Sequence, residues 1–323
     1  MRYEKFCNNV KDALDGFYGP GVAELKRVKK NNGVARCSVV IKKNGSNVCP
    51  AIYLEELHES YENGELFSNI ISKIIETADI KDPVAYFDAG NFMDFDRAKD
   101  KIFFKLINRE MNRELLKDVP YIAYMDMAVV FYYQVSSSDS GNASILITNT
   151  HAGNWKTDKD SLFEYAKKNT KEKLGIFLQD IMFIVNEVFS SEENPKGTEI
   201  DIAGLSDSDA CRIDSRGMYV LSNKRRFLGA CVILYPEILE KCCRFMGGDF
   251  YILPSSIHEV IMISAENADT EALINMVREV NDTQVADEEI LSYSVYRYDA
   301  SDKRLSMLGE DRKQAAKLKF TSL

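Results

Sequence analysis

The densest group of reactive side chains in the sequence is Ser255, Ser256, His258 and Glu259. A serine nucleophile needs a base within hydrogen-bonding reach and a third group that orients the base. His258 could be that base, with Glu259 or a distant aspartate as the orienting carboxylate. However, adjacent side chains on an extended segment point to opposite faces, and no GxSxG elbow surrounds the serines. The alternative is that Pro254 and the serines form a turn, which His258 holds through a hydrogen bond to the backbone.

A second polar group surrounds the single tryptophan and consists of Asn149, His151, Asn154 and Trp155. An aromatic ring with several polar groups beside it is typical of a ligand pocket or a partner surface. Trp155 also lies just before Thr157, the predicted N-cap of a helix, where it could act as a hydrophobic staple on the first turn. The sequence leaves both the binding site and the staple open.

The sequence predicts neither a metal site nor a cofactor site. The three histidines, His58, His151 and His258, are far apart in the chain, and no HExxH motif is present. The aspartates between positions 88 and 96 lack the alternating ligands of a calcium loop. Neither GxGxxG nor GxxxxGKS/T occurs, and the GGDF string at 247–250 lacks the second acid that a diguanylate cyclase needs. Its two glycines are instead typical of a helix end.

The composition is that of a compact acidic protein. Its 323 residues include 45% hydrophobic residues and carry a formal net charge of -9, so the chain can form one large domain or two ordinary ones. A surface of that sign repels the phosphate backbone, and nucleic-acid binding is therefore not expected. Nucleic-acid contact through the basic cluster Lys224, Arg225 and Arg226 is a third and weaker hypothesis.

The cysteines and the N-terminus predict the compartment. The seven cysteines match neither a disulfide framework nor a paired CxxC zinc site, so we interpret them as reduced thiols of a cytoplasmic protein. The chain starts without the apolar stretch of a signal peptide, and no window approaches the ~20 apolar residues of a membrane span. We expect a soluble cytoplasmic protein that does not associate with membranes.

The periodicity of apolar residues predicts the elements that must position these groups. The N-terminal part reads as a helix at 3–17, a small antiparallel sheet, and a covering helix with an apolar stripe within 66–75. A further helix is predicted at 171–189. The predicted domains are an N-terminal α+β region at 1–190, a polar linker at 191–215, a C-terminal α+β layer at 216–300 and a charged tail at 301–323.

The C-terminal layer is the most regular part of the sequence. Its predicted order is ββαββαβ, with strands at 218–221, 229–234, 250–253, 259–264 and 293–298, and helices that begin at Pro236 and near Thr270. This order is typical of a mainly antiparallel sheet with helices on one face. The predicted fold class is α+β, with mainly antiparallel sheets covered by helices.

Several strings resemble an uncharacterised bacterial family, domain of unknown function 5688. They are MYVLSNK at 218–224, GA at 229–230, LYP at 234–236, GDFYILPSSIHEVI at 248–261, PAIYLE at 50–55 and LLKDVP at 115–120. The resemblance covers nearly the whole chain without the tail, and a more distant likeness is to domain of unknown function 1444. It implies a bacterial, cytoplasmic, full-length fold, but neither family brings an activity, a cofactor or a catalytic residue.

Two functional hypotheses follow from the sequence. The first is a non-enzymatic cytoplasmic module that binds a protein or a small ligand, with Asn149, His151, Asn154 and Trp155 as candidate contacts. The second is a hydrolase-like enzyme that uses the serines, His258 and a carboxylate in the segment 255–259. Whether His258 contacts a serine or the backbone discriminates between them.

Overall fold

The computed structural model describes residues 1–42, 49, 51–79, 87–138, 141–183, 200–204, 217–266 and 268–308. Two compact units can be distinguished, Met1–Ala98 with Tyr133–Ile145, and Lys99–Tyr132 with Leu146–Leu323. Most of the predicted linker at 191–215 and the tail from residue 309 lie outside the described residues. The predicted domain boundaries therefore stay a prediction.

The first unit combines a small antiparallel sheet with helices. Its sheet has the order β1 (Ala23–Lys29), β2 (Ala35–Ile41) and β3 (Ala51–Tyr53). Its helices are α1 (Tyr3–Tyr18), α2 (Glu55–Glu62), α3 (Phe67–Asp79), α4 (Ala89–Met93) and α5 (Phe95–Ala98). The predicted helix, sheet and covering helix at the start of the chain are confirmed.

The core of this unit forms between α1 and α3. Phe6 and Leu14 of α1 are completely buried in one cluster with Ile70 and Ile74 of α3. These positions are spaced by multiples of four residues, so each helix turns one apolar stripe toward the core. Leu66 was predicted to belong to this stripe but is 66% exposed, because it precedes the first residue of the helix.

Two larger sheets follow along the chain. The four-stranded sheet consists of β4 (Ile102–Asn108), β5 (Tyr121–Tyr124), β6 (Met127–Ser138) and β7 (Gly141–Leu146), with the order β4-β6-β5 and β7 paired to β6. It is followed by α6 (Asn149–Trp155) and α7 (Lys159–Asn169).

The six-stranded sheet consists of β8 (Phe177–Asp180), β9 (Met218–Ser222), β10 (Phe250–Pro254), β11 (Val260–Ser264), β12 (Tyr296–Asp299) and β13 (Arg304–Met307), with the order β13-β12-β10-β11-β9-β8. Helices α8 (Pro236–Met246) and α9 (Thr270–Thr283) accompany it.

The six-stranded sheet carries one helix on each face. Pairing through β11 places Tyr219 of β9 and Ile252 of β10 on the same face, where Phe245 of α8 packs on Tyr219 with 5.0 Å between ring centroids. The neighbouring residue Tyr251 points to the opposite face and clusters with Leu273 of α9. The prediction that both helices lie on one face is therefore wrong.

The predicted fold class is confirmed. The described chain contains helices and three sheets whose recorded strand pairs are antiparallel. None of the helices in the described part of the chain is long and apolar enough to cross a membrane.

One strand of the predicted ββαββαβ order is absent, because Gly229–Leu234 forms a 3₁₀ helix. Leu228 has a left-handed backbone with φ 55°, which ends the extended conformation immediately before this segment. All six residues are buried. A continuous apolar run shows no alternation, so its sequence does not separate a buried strand from a buried helical segment.

The predicted helix at 171–189 is also wrong at Phe177–Asp180, although Ile181–Phe183 are helical. Thr170–Leu174 forms a single π-helical turn, and Phe177–Asp180 is strand β8 at the edge of the six-stranded sheet. Between them Gly175 has φ 63°, a conformation that ends a helix. Pairing of β8 with β9 therefore overrides the helical periodicity of the sequence.

Candidate functional site

The segment from Pro254 to Val260 is a tight connection between the paired strands β10 and β11. The Ser256 amide donates to the Glu259 carbonyl at 3.3 Å, and the His258 amide donates to Ser256 Oγ at 3.0 Å. Ser255 Oγ donates to Glu259 Oε1 at 3.5 Å. Both serine hydroxyls thus bond within their own turn, as the architectural alternative predicted.

The ring nitrogens of His258 bond outside this turn. Nδ1 accepts from the Leu228 amide at 3.1 Å, and Nε2 lies 3.3 Å from Glu289 Oε1. Because Nδ1 is an acceptor, the proton of the neutral ring resides on Nε2 and points to the Glu289 carboxylate. The ring therefore has no free nitrogen directed at Ser255 or Ser256, which a general base would need.

The basic turn that follows β9 is joined to this segment. The carbonyl of His258 accepts from Ser222 Oγ at 2.7 Å and from the Gly229 amide at 2.9 Å. The ring of Phe227 lies 5.4 Å from the His258 ring, measured between centroids. We call residues 222–229 and 254–260 together the turn–loop junction.

The buried side chain of Asn223 shapes the basic turn. Its Oδ1 accepts from the amides of Arg225 at 3.0 Å and Phe227 at 3.4 Å, and its Nδ2 donates to the Phe227 carbonyl at 2.8 Å. Arg226 and Leu228 both have left-handed backbones, with φ 49° and 55°. This conformation is uncommon for residues with long side chains, so the turn is held in a strained shape.

The three basic side chains of the turn have different surroundings. Lys224 Nζ lies 2.8 Å from Asp201 Oδ2, and this hydrogen-bonded ammonium lowers the pKa of Asp201. Arg226 Nη2 donates to Gln179 Oε1 at 2.8 Å. Arg225 is exposed, and its guanidinium has neither a hydrogen bond nor an ion pair among the described residues.

The second predicted site lies on α6 and serves mainly to build that helix. Thr148 and His151 form a capping box, in which the His151 amide donates to Thr148 Oγ1 at 3.3 Å and the Thr148 amide donates to His151 Nδ1 at 3.2 Å. Asn149 Nδ2 donates to the Lys117 carbonyl at 3.0 Å. Asn154 is exposed on the same helix.

Trp155 is the last residue of α6 and is buried. The next helix, α7, is capped by Asp158, whose side chain accepts from the Ser161 amide at 2.8 Å. A hydrophobic staple occupies the residue directly before the cap, which here is Thr157. The staple interpretation of Trp155 and the predicted cap at Thr157 are therefore wrong.

A cleft of about 360 Å³ opens beside the C-terminus of α8. Its lining residues are Met246, Gly247, Gly248, Asp249, Ser264, Ala265, Glu266 and Arg297. Gly247 ends the helix with φ 77°, which confirms the predicted helix stop.

An ion pair lies in the wall of this cleft. Arg297 Nη2 donates to Asp249 Oδ2 at 2.5 Å, and this hydrogen bond raises the pKa of Arg297. The other carboxylate oxygen of Asp249 accepts from the Ala300 amide at 2.9 Å. Arg297 Nε is buried and has no hydrogen-bond partner among the described residues. The wall therefore contains a carboxylate whose two oxygens each accept a hydrogen bond, and a partly exposed guanidinium.

The histidines and aspartates considered as metal ligands have other roles. His58 Nε2 lies 2.8 Å from the Met1 carbonyl, and Asp88 caps α4 by accepting from the Asn91 amide at 3.0 Å. In the described part of the chain, no group of three or more histidines, cysteines or acidic residues could hold a metal ion.

One polar cluster was missed by sequence reasoning. Asp126 lies in the turn between β5 and β6 and accepts from Ser292 Oγ at 2.6 Å, Ser294 Oγ at 3.0 Å and the Tyr296 hydroxyl at 2.5 Å. Burial, and then the Asp126 charge, raise the pKa of Tyr296 well above its usual value. The only local signal is the alternation of Ser292, Ser294 and Tyr296, which places them on one side of an extended segment.

Comparison with protein-family models identifies a family for this chain. The model of the family of unknown function DUF5688 matches residues 3–300, which confirms that resemblance, while the distant likeness to domain of unknown function 1444 is not confirmed. No curated protein and no solved structure matches the chain.

Proposed function

We propose that this chain, which belongs to the family of unknown function DUF5688, is a non-enzymatic cytoplasmic binding module whose ligand is a small polar molecule. The site is the cleft between the end of α8, the end of β11 and Arg297. The observation that carries the proposal is the guanidinium of Arg297, which lines this cleft and is partly exposed beside its ion pair with Asp249.

The size and chemistry of the cleft support a small ligand. Its volume of about 360 Å³ falls in the range of roughly 300–1,000 Å³ that is usual for ligand pockets. The Arg297 side chain is partly exposed in this wall, so its guanidinium can donate to an acceptor on a ligand. Ser264 and Glu266 add a hydroxyl and a carboxylate to the same wall.

The alternative proposal is a hydrolase centred on His258. Its support is the contact between His258 and Glu289, which resembles the orienting pair of a catalytic triad. A nucleophile is the missing part, because the hydroxyls of Ser255 and Ser256 bond to Glu259 and to the His258 amide. The binding module is the better supported of the two.

The chemistry of the cysteines supports a cytoplasmic location. The six described cysteines, Cys7, Cys37, Cys49, Cys231, Cys242 and Cys243, are all free thiols. Free thiols are the usual state in a reducing compartment.

The binding proposal is tested by a thermal-shift screen of polar metabolites on the wild-type protein and on two variants. Ser264→Phe fills the cleft, and Ser68→Phe, on the exposed side of α3, adds the same ring elsewhere. A ligand at 100 times its Kd should stabilise the wild type by about 2.7 kcal/mol. We expect the same compounds to stabilise Ser68→Phe but not Ser264→Phe. Equal stabilisation of both variants would rule out the cleft.

A further inference from the structure

Among the described residues, the side chain of Arg225 is the one basic side chain of the turn–loop junction with neither a hydrogen bond nor an ion pair. Lys224 and Arg226, on either side of it, are bonded to Asp201 and Gln179. The backbone of Arg225 is nevertheless fixed, since its amide donates to the buried Asn223 side chain. The turn therefore presents one free guanidinium from a fixed backbone.

The backbone of this turn stores strain. Arg226 and Leu228 adopt left-handed conformations, and such residues cost on the order of 1–3 kcal/mol each. Strain of this kind persists where the surroundings force it, and here Asn223 and His258 bond to the turn from two sides. It concentrates at sites where a side chain must be presented in a defined direction.

An aromatic side chain, Phe227, lies two residues after Arg225 in the same turn. Phe227 is half-buried and tilts against the ring of His258 at 5.4 Å. Arginine and aromatic residues are enriched at the centres of protein interfaces, where a rigid side chain loses little entropy on binding.

We propose that Arg225 and Phe227 form a docking surface for an acidic segment of a protein partner. The planar guanidinium matches a carboxylate with two parallel hydrogen bonds. A nucleic acid is disfavoured, because polyanion binding scales with the number of phosphates neutralised, and Lys224 and Arg226 are already bonded to Asp201 and Gln179. The surface is separate in sequence from the cleft residues, so this proposal does not depend on a ligand there.

Fluorescence anisotropy with a fluorescein-labelled hexaglutamate peptide tests the proposal at low salt. Arg225→Gln should weaken binding at least about tenfold, as expected for loss of a charge-assisted pair. Arg225→Lys keeps the charge without the fork and should bind with intermediate affinity. The matched control is Arg113→Gln, because Arg113 is exposed and lies 2.6 Å from Glu110, and it should bind like the wild type.

Two further probes test whether binding is specific for an acidic peptide. Hexaglutamine should not bind, and a short oligodeoxythymidylate of equal charge should bind more weakly than hexaglutamate. Equal affinity of Arg225→Gln and wild type, or tighter binding of the oligonucleotide, would overturn the proposal. Unchanged thermal midpoints of the variants show that a loss of binding is not a loss of folding.

Discussion

The imidazole of His258 connects three segments of the chain at once. It accepts from the Leu228 amide, faces the Glu289 carboxylate and packs against the Phe227 ring. Its own carbonyl accepts two more hydrogen bonds from Ser222 and Gly229. We therefore expect that the main role of His258 is to stabilise the fold and not to catalyse a reaction.

Substitution of His258 separates the structural role from the catalytic one. His258→Ala should lower the free energy of unfolding by about 1–3 kcal/mol, because the Leu228 amide loses its acceptor. His258→Asn keeps an acceptor near the position of Nδ1 and should lose less. Urea unfolding of both variants measures the difference.

A hydrolase would behave differently in the same pair of variants. Both substitutions would abolish hydrolysis of an activated ester to the same extent, since neither alanine nor asparagine can replace an imidazole base. Equal stabilities together with equal losses of ester hydrolysis would contradict the structural role.

At the scale of elements, the 3₁₀ helix Gly229–Leu234 depends on a close approach at its first residue. A Cβ on Gly229 would lie 2.1 Å from Ser222 Oγ, 2.6 Å from the Asn223 nitrogen and 2.7 Å from the His258 carbonyl oxygen. Two of these atoms belong to the backbone and cannot rotate away. The glycine therefore allows the basic turn to reach the loop that follows β10.

The matched pair Gly229→Ala and Gly153→Ala tests this close approach. Gly229→Ala should destabilise the protein by about 1–3 kcal/mol or more, as overpacking of a filled site does. A Cβ on Gly153, within α6, would meet no atom within 4 Å, so alanine there should be neutral or stabilising by up to about 1 kcal/mol. Thermal or urea unfolding checks both, and similar stabilities of the two variants would contradict the packing argument.

Elements were predictable where their signals are local. The capped start of α9 at Asp269 and its buried Leu273 and Val277 follow from residues within two turns. The strand β8 was not, because its conformation depends on pairing with β9 about forty residues later. The conformation of Gly229–Leu234 was not predictable either. All six residues are buried, so the segment lacks the alternation of apolar and polar residues that identifies a strand.

At the scale of the whole molecule, buried thiols couple stability to alkaline pH. Burial raises the pKa of Cys7 from 9.0 to about 11 and that of Cys231 from 9.0 to about 12. Both groups favour the protonated form in the folded chain, so their contribution is fully present below pH 9. Above that value the unfolded chain loses these protons first, and stability falls until the folded pKa is reached.

We therefore expect the free energy of unfolding to decrease between pH 9 and about 12, by up to about 1.4 kcal/mol per pH unit for the fully buried Cys231. Cys231→Ser removes one titrating group while a hydroxyl can still donate to the Leu228 carbonyl, which now accepts from Cys231 Sγ at 3.2 Å. Its stability should fall less steeply with pH in urea titrations at pH 8 to 11. An identical slope for wild type and variant would contradict the role of Cys231.

Local sequence signals predicted the α+β class, the helix end at Gly247 and the turn made by Ser255 and Ser256, while resemblance of whole strings identified the family. These features depend on backbone preferences and neighbours within a few residues, which any reader of the chain can inspect. The partners of His258, the exposed guanidinium of Arg225 and the hydroxyls around Asp126 became visible only in the folded chain. These features depend on residues that are distant in sequence. Strand pairing and burial decide which of these residues meet, and therefore which polar atoms must find a hydrogen-bond partner within the protein.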